Sequence, residues 1–121
     1  MMQINEMTVE QLVEWFTAIA LDQDEAIRMD DNTRYNRLFK QMELVKEELK
    51  AREDDQRRAL LRLYEHPNAE VRLKAAKATL AVAPEAARRI LQAIADSNEF
   101  PQAGDAGMTL VSLDRGIFRP S

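Results

Sequence analysis

The sequence has no cysteine, one histidine, one tryptophan and three glycines among its 121 residues. The missing thiol excludes disulfides, thiolate metal sites and cysteine nucleophiles together, and it fits a reducing compartment. A lone histidine, His66, cannot assemble a metal centre, and no serine lies near it in sequence to act as a nucleophile. The glycines are too few and too irregular for a phosphate-cradling loop. No window approaches the run of about 20 apolar residues that spans a bilayer. Residues 1–14 lack the basic stretch and apolar core of a signal peptide. The expectation is a cytoplasmic protein with no membrane contact, no metal and no cofactor.

What is present describes an ordinary globular chain. Hydrophobic residues make up 45% and charged residues 31%, too apolar for a disordered segment. The length suits a single domain, 1–121, able to bury a core without staples. A net charge of −4 argues against nucleic acid as a partner. The charge is uneven: residues 1–54 carry 13 acidic and 7 basic side chains, and residues 55–121 carry 8 and 10. An acidic N-terminal half would suit a basic protein, although charge runs are by default solvated helix faces.

Apolar periodicity predicts helices throughout. Thr8 and Gln11 have the spacing of a capping box. Val9, Leu12, Val13, Phe16, Ile19 and Ala20 follow as one stripe reaching about Met29, with Trp15 at its edge. Asp30 to Thr33 form a turn and cap a second helix. There Tyr35, Leu38, Met42, Val45 and Leu49 make a heptad seam that Phe39 widens. That seam packs against helix one or against a second copy, and the short connection favours a hairpin over 8–52. A third helix, 55–65, buries Ala59, Leu60, Leu63 and Tyr64. A fourth, 69–82, presents Val71, Ala75, Ala76, Ala78, Leu80 and Val82. A fifth, about 85–96, buries Ala87, Ile90, Leu91 and Ile94.

Pro67, Pro84 and Pro101 stand 17 residues apart at the predicted helix boundaries. Two such intervals make a two-helix unit of the length expected of helical repeats. After Pro101, Gln102 to Gly107 read as a tight loop leading into a short last helix at Met108–Leu113. Gly116 would accept a left-handed backbone there, and Ile117 and Phe118 would fold back as a cap.

The stretch His66-Pro67-Asn68, Val71-Arg72, Ala75-Ala76 and Leu80 resembles the second half of a HEAT repeat. From Thr8 to Pro120, with its His-Pro-Asn turn, its Val-Arg-Leu-Lys-Ala-Ala helix and Asp105-Ala106-Gly107, the chain also resembles a family of small bacterial proteins whose domain has no assigned function. The resemblance implies an all-α, HEAT/armadillo-like α-α superhelix of about six helices. Its parts would be an N-terminal hairpin (8–52), one full repeat (55–97) and a truncated capping unit (102–121). It implies no activity.

Candidate binding or structural residues follow from this frame. His66 and Asn68 form the turn. In HEAT-like repeats an arginine at the place of Arg72 pairs with an acid in the neighbouring unit, and Asp105 is the expected partner. Lys74 and Lys77, with Arg88 and Arg89, would form a basic patch. The cluster Asp22, Asp24, Glu25, Asp30 and Asp31 lacks the glycine of a calcium loop and reads as exposed acid. Three functions compete. The leading one is a non-enzymatic adaptor or immunity-type module that binds a protein. The second is an enzyme or small-molecule binder using His66, Asp105 and Arg115. The third is a structural homo-oligomer formed through helix two. A monomer and a homodimer both fit.

Overall fold

The computed structural model describes residues 3–121. Among them there is no strand. Five α-helices and a ten-residue 3-10 helix make the six helices expected, besides one 3-10 turn at Ile4–Glu6. The chain divides into two compact units, one ending at Leu60 and the other spanning Leu61–Ser121.

The first unit is a hairpin of α1 (Val9–Arg28) and α2 (Asn32–Ala51). The Thr8 hydroxyl accepts the Gln11 N–H at 3.0 Å, and the Gln11 side chain accepts the Thr8 N–H at 2.9 Å, which closes the predicted capping box. At its other end α1 stops on Asp30, whose φ of +53° is a left-handed value that Asp tolerates better than most residues. The Asp31 N–H then reaches back to the Ala26 carbonyl at 2.9 Å and the Asp30 N–H to Ile27 at 3.1 Å, a Schellman closure. Asp31 in turn caps α2 by accepting the Arg34 N–H at 3.0 Å.

Leu38, Met42, Val45 and Leu49 of the seam are buried, as are Leu12, Val13, Phe16, Ile19, Ala20 and Ala26 on α1. Phe39 corrects the expectation: one residue round from Leu38, it turns outward and is 47% exposed. Arginine contacts mark the antiparallel register. Arg34 reaches Asp22 at 3.6 Å and Glu25 at 3.5 Å at one end. At the other, Arg52 donates to the Met7 carbonyl at 2.8 Å and the Ile4 carbonyl at 3.3 Å. Each large buried side chain contributes about 1.5–3 kcal/mol, against at most about 1 kcal/mol for an exposed pair. The seam holds the hairpin, and the arginine contacts fix its alignment.

The helix predicted at 55–65 has the expected extent but a tighter winding, 3-10 over Gln56–Glu65. Arg57, Leu60 and Leu63 are buried at three-residue spacing, which is what three residues per turn requires. Ala59 and Tyr64, inward-facing on an α-helix, are only half-buried. Asp54 and Asp55 make the corner before it with φ of +62° and +50°. Asp55 receives the Arg57 guanidinium on both oxygens, at 2.9 and 2.7 Å. That contact holds the Asp55 carboxyl below the usual carboxylate range and raises the pKa of Arg57.

The second unit holds α3 (Ala69–Ala78), α4 (Pro84–Ala95) and α5 (Gln102–Asp114). Asn68 caps α3 by accepting from Glu70 N–H at 2.9 Å and Val71 N–H at 3.2 Å. α3 ends at Ala78, short of the predicted 82. Thr79 there donates its hydroxyl to the Ala75 and Ala76 carbonyls while the Tyr64 hydroxyl bonds to it. Pro84 occupies the first turn of α4, where its missing N–H costs nothing. α4 packs back on α3, and α5 packs on α4. Leu73, Ala76, Leu80, Ala87, Leu91, Ile94 and Ala106 form the core between them.

α5 begins six residues before its predicted start. Gln102, Ala103, Ala106 and Thr109 repeat at helical spacing and are buried, so this packing overrides the low helix propensity of Gly104 and Gly107. Gly116 adopts φ +69° as expected, and the Ile117 N–H to Ser112 carbonyl bond at 2.9 Å closes a second Schellman motif. The cap is a backbone one only. Ile117 is 73% and Phe118 39% exposed.

Candidate functional site

The His66-Pro67-Asn68 turn is held from within. The Asn68 N–H donates to His66 Nδ1 at 3.0 Å, so in the neutral ring the proton sits on Nε2. Arg72, one turn into α3, donates from Nη1 to the His66 and Pro67 carbonyls, each at 2.9 Å. Its Nη2 meets Glu99 at 3.3 Å, just before α5.

The expected Arg72–Asp105 pair is replaced by two others. Asp105 accepts from Lys77 at 3.0 Å and from the Thr109 hydroxyl at 3.2 Å. The reason is that both groups are engaged elsewhere. α3 and α5 run in the same direction, with Arg72 level with Glu99, 27 positions on, and Lys77 level with Asp105, 28 on. The Arg72 guanidinium is taken up by the His66 and Pro67 carbonyls and by Glu99, and the Asp105 carboxylate by Lys77.

The basic patch is not assembled either. Lys74 is buried, not solvated, and its Nζ lies 2.8 Å from Glu70 Oε2, with both side chains 6% exposed or less. The second Glu70 oxygen accepts from the Gln102 amide at 3.4 Å. Lys77 is matched by Asp105, and Arg88 by Asp114 at 2.9 Å. Of the acidic cluster in the first unit, Asp22 and Glu25 meet Arg34, Asp24 meets Arg28, and Asp31 caps α2. Among the described residues no group of three or more His, Asp or Glu could hold a metal, and no helix is long and apolar enough to cross a membrane.

His66, Asp105 and Arg115 do not converge. Asp105 lies in the first turn of α5 and Arg115 caps its end, a separation of about 15 Å at 1.5 Å per residue. His66 spends Nδ1 on its own turn. Three polar features escaped the sequence reading. The Glu70–Lys74 spacing of four was visible as a helical pair, but its burial was not. The Tyr64–Thr79 bond and the fully buried Gln23 carried no signal beyond residue type.

These polar contacts stabilise the fold and leave the exposed apolar groups as the distinctive surface of the second unit. Met108 (73% exposed) and Val111 (48%) lie on the outer face of α5, and Phe100 (69%) stands just before its start. Single exposed hydrophobics are normal, and a row along one helix is not.

Over residues 10–114 the sequence matches the family described as Domain of unknown function (DUF2019). The chain belongs to this family. It is similar to the protein RPA1889 from Rhodopseudomonas palustris CGA009, a bacterial relative of known crystal structure, with 51% identity and a TM-score of 0.96 over 100% of both chains. No curated protein matches it. The expected kinship with a bacterial family of unassigned function is therefore borne out, and this DUF2019 chain takes no activity from its relatives.

Proposed function

We propose that the chain is a non-enzymatic protein–protein interaction module of the HEAT/armadillo kind, working in the bacterial cytoplasm, with the outer face of α5 as its contact surface. The exposed row Phe100, Met108, Val111 carries this reading. Burying such side chains against a partner releases apolar area that the monomer leaves in water. The repeat character is supported by three features. α4 folds back on α3, α5 runs parallel to α3, and a proline stands at the start of each of these helices.

Among the described residues His66, Asp105 and Arg115, on which the enzymatic alternative rests, do not converge. Oligomerisation through α2 is disfavoured because Leu38, Met42, Val45 and Leu49 are already buried. The test is a photo-crosslinking residue placed in living cells at position 108, compared with position 93 on the exposed side of α4. Protein adducts at 108 and none at 93 support the reading. Equal or absent adducts at both sink it.

A further inference from the structure

α5 has one side turned to the core and an opposite side carrying exposed apolar residues. Gln102, Ala103, Ala106 and Thr109 face inward. Steps of three and four residues set Gly104, Gly107, Met108, Val111 and Arg115 along the other side. Phe100 leads into this row, its ring 4.0 Å from where a Cβ on Gly104 would stand.

The glycines are informative because they lie inside a helix, where only proline is less favourable. Neither has the positive φ that would call for glycine, and among the described residues nothing comes within 4 Å of a Cβ built on Gly107. Its missing side chain answers no need of the monomer. A bare backbone beside protruding Met108 and Val111 suits the close approach of another helix.

We propose that this face is a two-fold interface with a second copy of the chain, in which α5 crosses α5 antiparallel near Gly107 and Met108. The inference rests on the preceding reading of α5 as a contact surface and names its occupant. The row is self-complementary, as a two-fold contact demands. About that axis, Met108 of one copy covers Gly107 of the other, Val111 covers Gly104, and Arg115 meets Phe100.

Charge selects the antiparallel arrangement. The leading end of the row carries the exposed Phe100 ring, beside a Glu99 already matched by Arg72, and the trailing end carries exposed Arg115 and Arg119. Antiparallel crossing sets the Arg115 guanidinium against the Phe100 aromatic face and keeps the two arginine-bearing ends apart. Parallel crossing would set Arg115 on Arg115 and Met108 on Met108. A contact made by one helix pair falls at the small end of specific interfaces, below about 1,200 Å², so the dimer dissociates on dilution.

The experiment combines sedimentation velocity over a wide concentration range with thiol crosslinking. The chain has no cysteine, so Met108→Cys, Ala93→Cys and Leu44→Cys each introduce a single thiol. A short bis-maleimide should link Met108→Cys into dimers, and leave Ala93→Cys (α4) and Leu44→Cys (α2) monomeric. Gly107→Glu should weaken self-association at least tenfold with an unchanged or raised melting temperature, because glutamate is the better helix former and finds open space. The proposal is overturned if the wild-type protein stays monomeric at every concentration, or if position 108 links no better than position 93. It is also overturned if the photo-crosslinks at 108 capture only other proteins, and in that case the reading of α5 as a contact surface stands. Absence of any adduct at 108 removes both.

Discussion

Gln23 lies on the buried stripe of α1 with Phe16, Ile19, Ala20 and Ala26, and is 0% exposed. Among the described residues neither its amide nitrogen nor its oxygen has a hydrogen-bond partner. An amide taken out of water without compensation costs about 1–3 kcal/mol on the scale of protein mutations. Methionine has nearly the same length and flexibility and adapts to irregular cavities. Gln23→Met should therefore stabilise the protein by about 1–3 kcal/mol. For a chain of this size that raises the melting temperature by roughly 3–6 °C per kcal/mol. Urea and thermal unfolding followed by circular dichroism at 222 nm would measure it, with an unchanged m-value showing that the native and denatured states remain comparable. A loss of about 1 kcal/mol or more at constant m would refute the reasoning, because the amide must then be satisfied in solution.

Three further outcomes follow from the polar contacts. In double-mutant cycles, Lys77→Ala and Asp105→Ala should couple by about 0.5–1 kcal/mol, whereas Arg72→Ala and Asp105→Ala should add; coupling in the second cycle alone would contradict the register of α3 and α5. Lys74→Met should cost about 3–5 kcal/mol by stranding the Glu70 carboxylate, and Glu70→Met in the same chain should recover much of it; denaturant melts that show the double variant no better than the single would count against a buried pair. The contribution of Asp55 should be fully present above the ordinary carboxylate pKa of about 3.9 and fade as pH falls through its lowered folded value. The stability gap between wild type and Asp55→Asn should accordingly close on acidification below about pH 4, and a gap constant with pH would remove the Arg57 contact as its source.

Regular periodicity made the N-terminal hairpin legible. The Thr8–Gln11 box and the spacing of Leu38, Met42, Val45 and Leu49 report local geometry, and that geometry survives in the fold. The same logic fails where three residues per turn replace 3.6, because Leu60 and Leu63 satisfy both windings. α5 was foreshortened because Gly104 and Gly107 carry a loop-like propensity that the packing of Ala103 and Ala106 overrides. The candidate site was least legible. Pairing of α3 with α5 and the residues just before it joins positions 27 to 32 apart, and no local pattern encodes those distances. Lys74 shows the general difficulty: its charge suggests solvent, yet Glu70 four residues back allows it to be buried.

The 3-10 segment Gln56–Glu65 has a consequence for how the chain opens. Its hydrogen bonds are strained in angle compared with α-helical ones, and runs beyond three or four residues are uncommon. It borrows its order from the burial of Arg57, Leu60 and Leu63. The amides of Gln56–Glu65 should therefore exchange with solvent hydrogen through low-energy local openings, ahead of those in α1 and α3. With its midpoint where one compact unit ends and the next begins, the segment is the natural boundary between two separately protected blocks of structure.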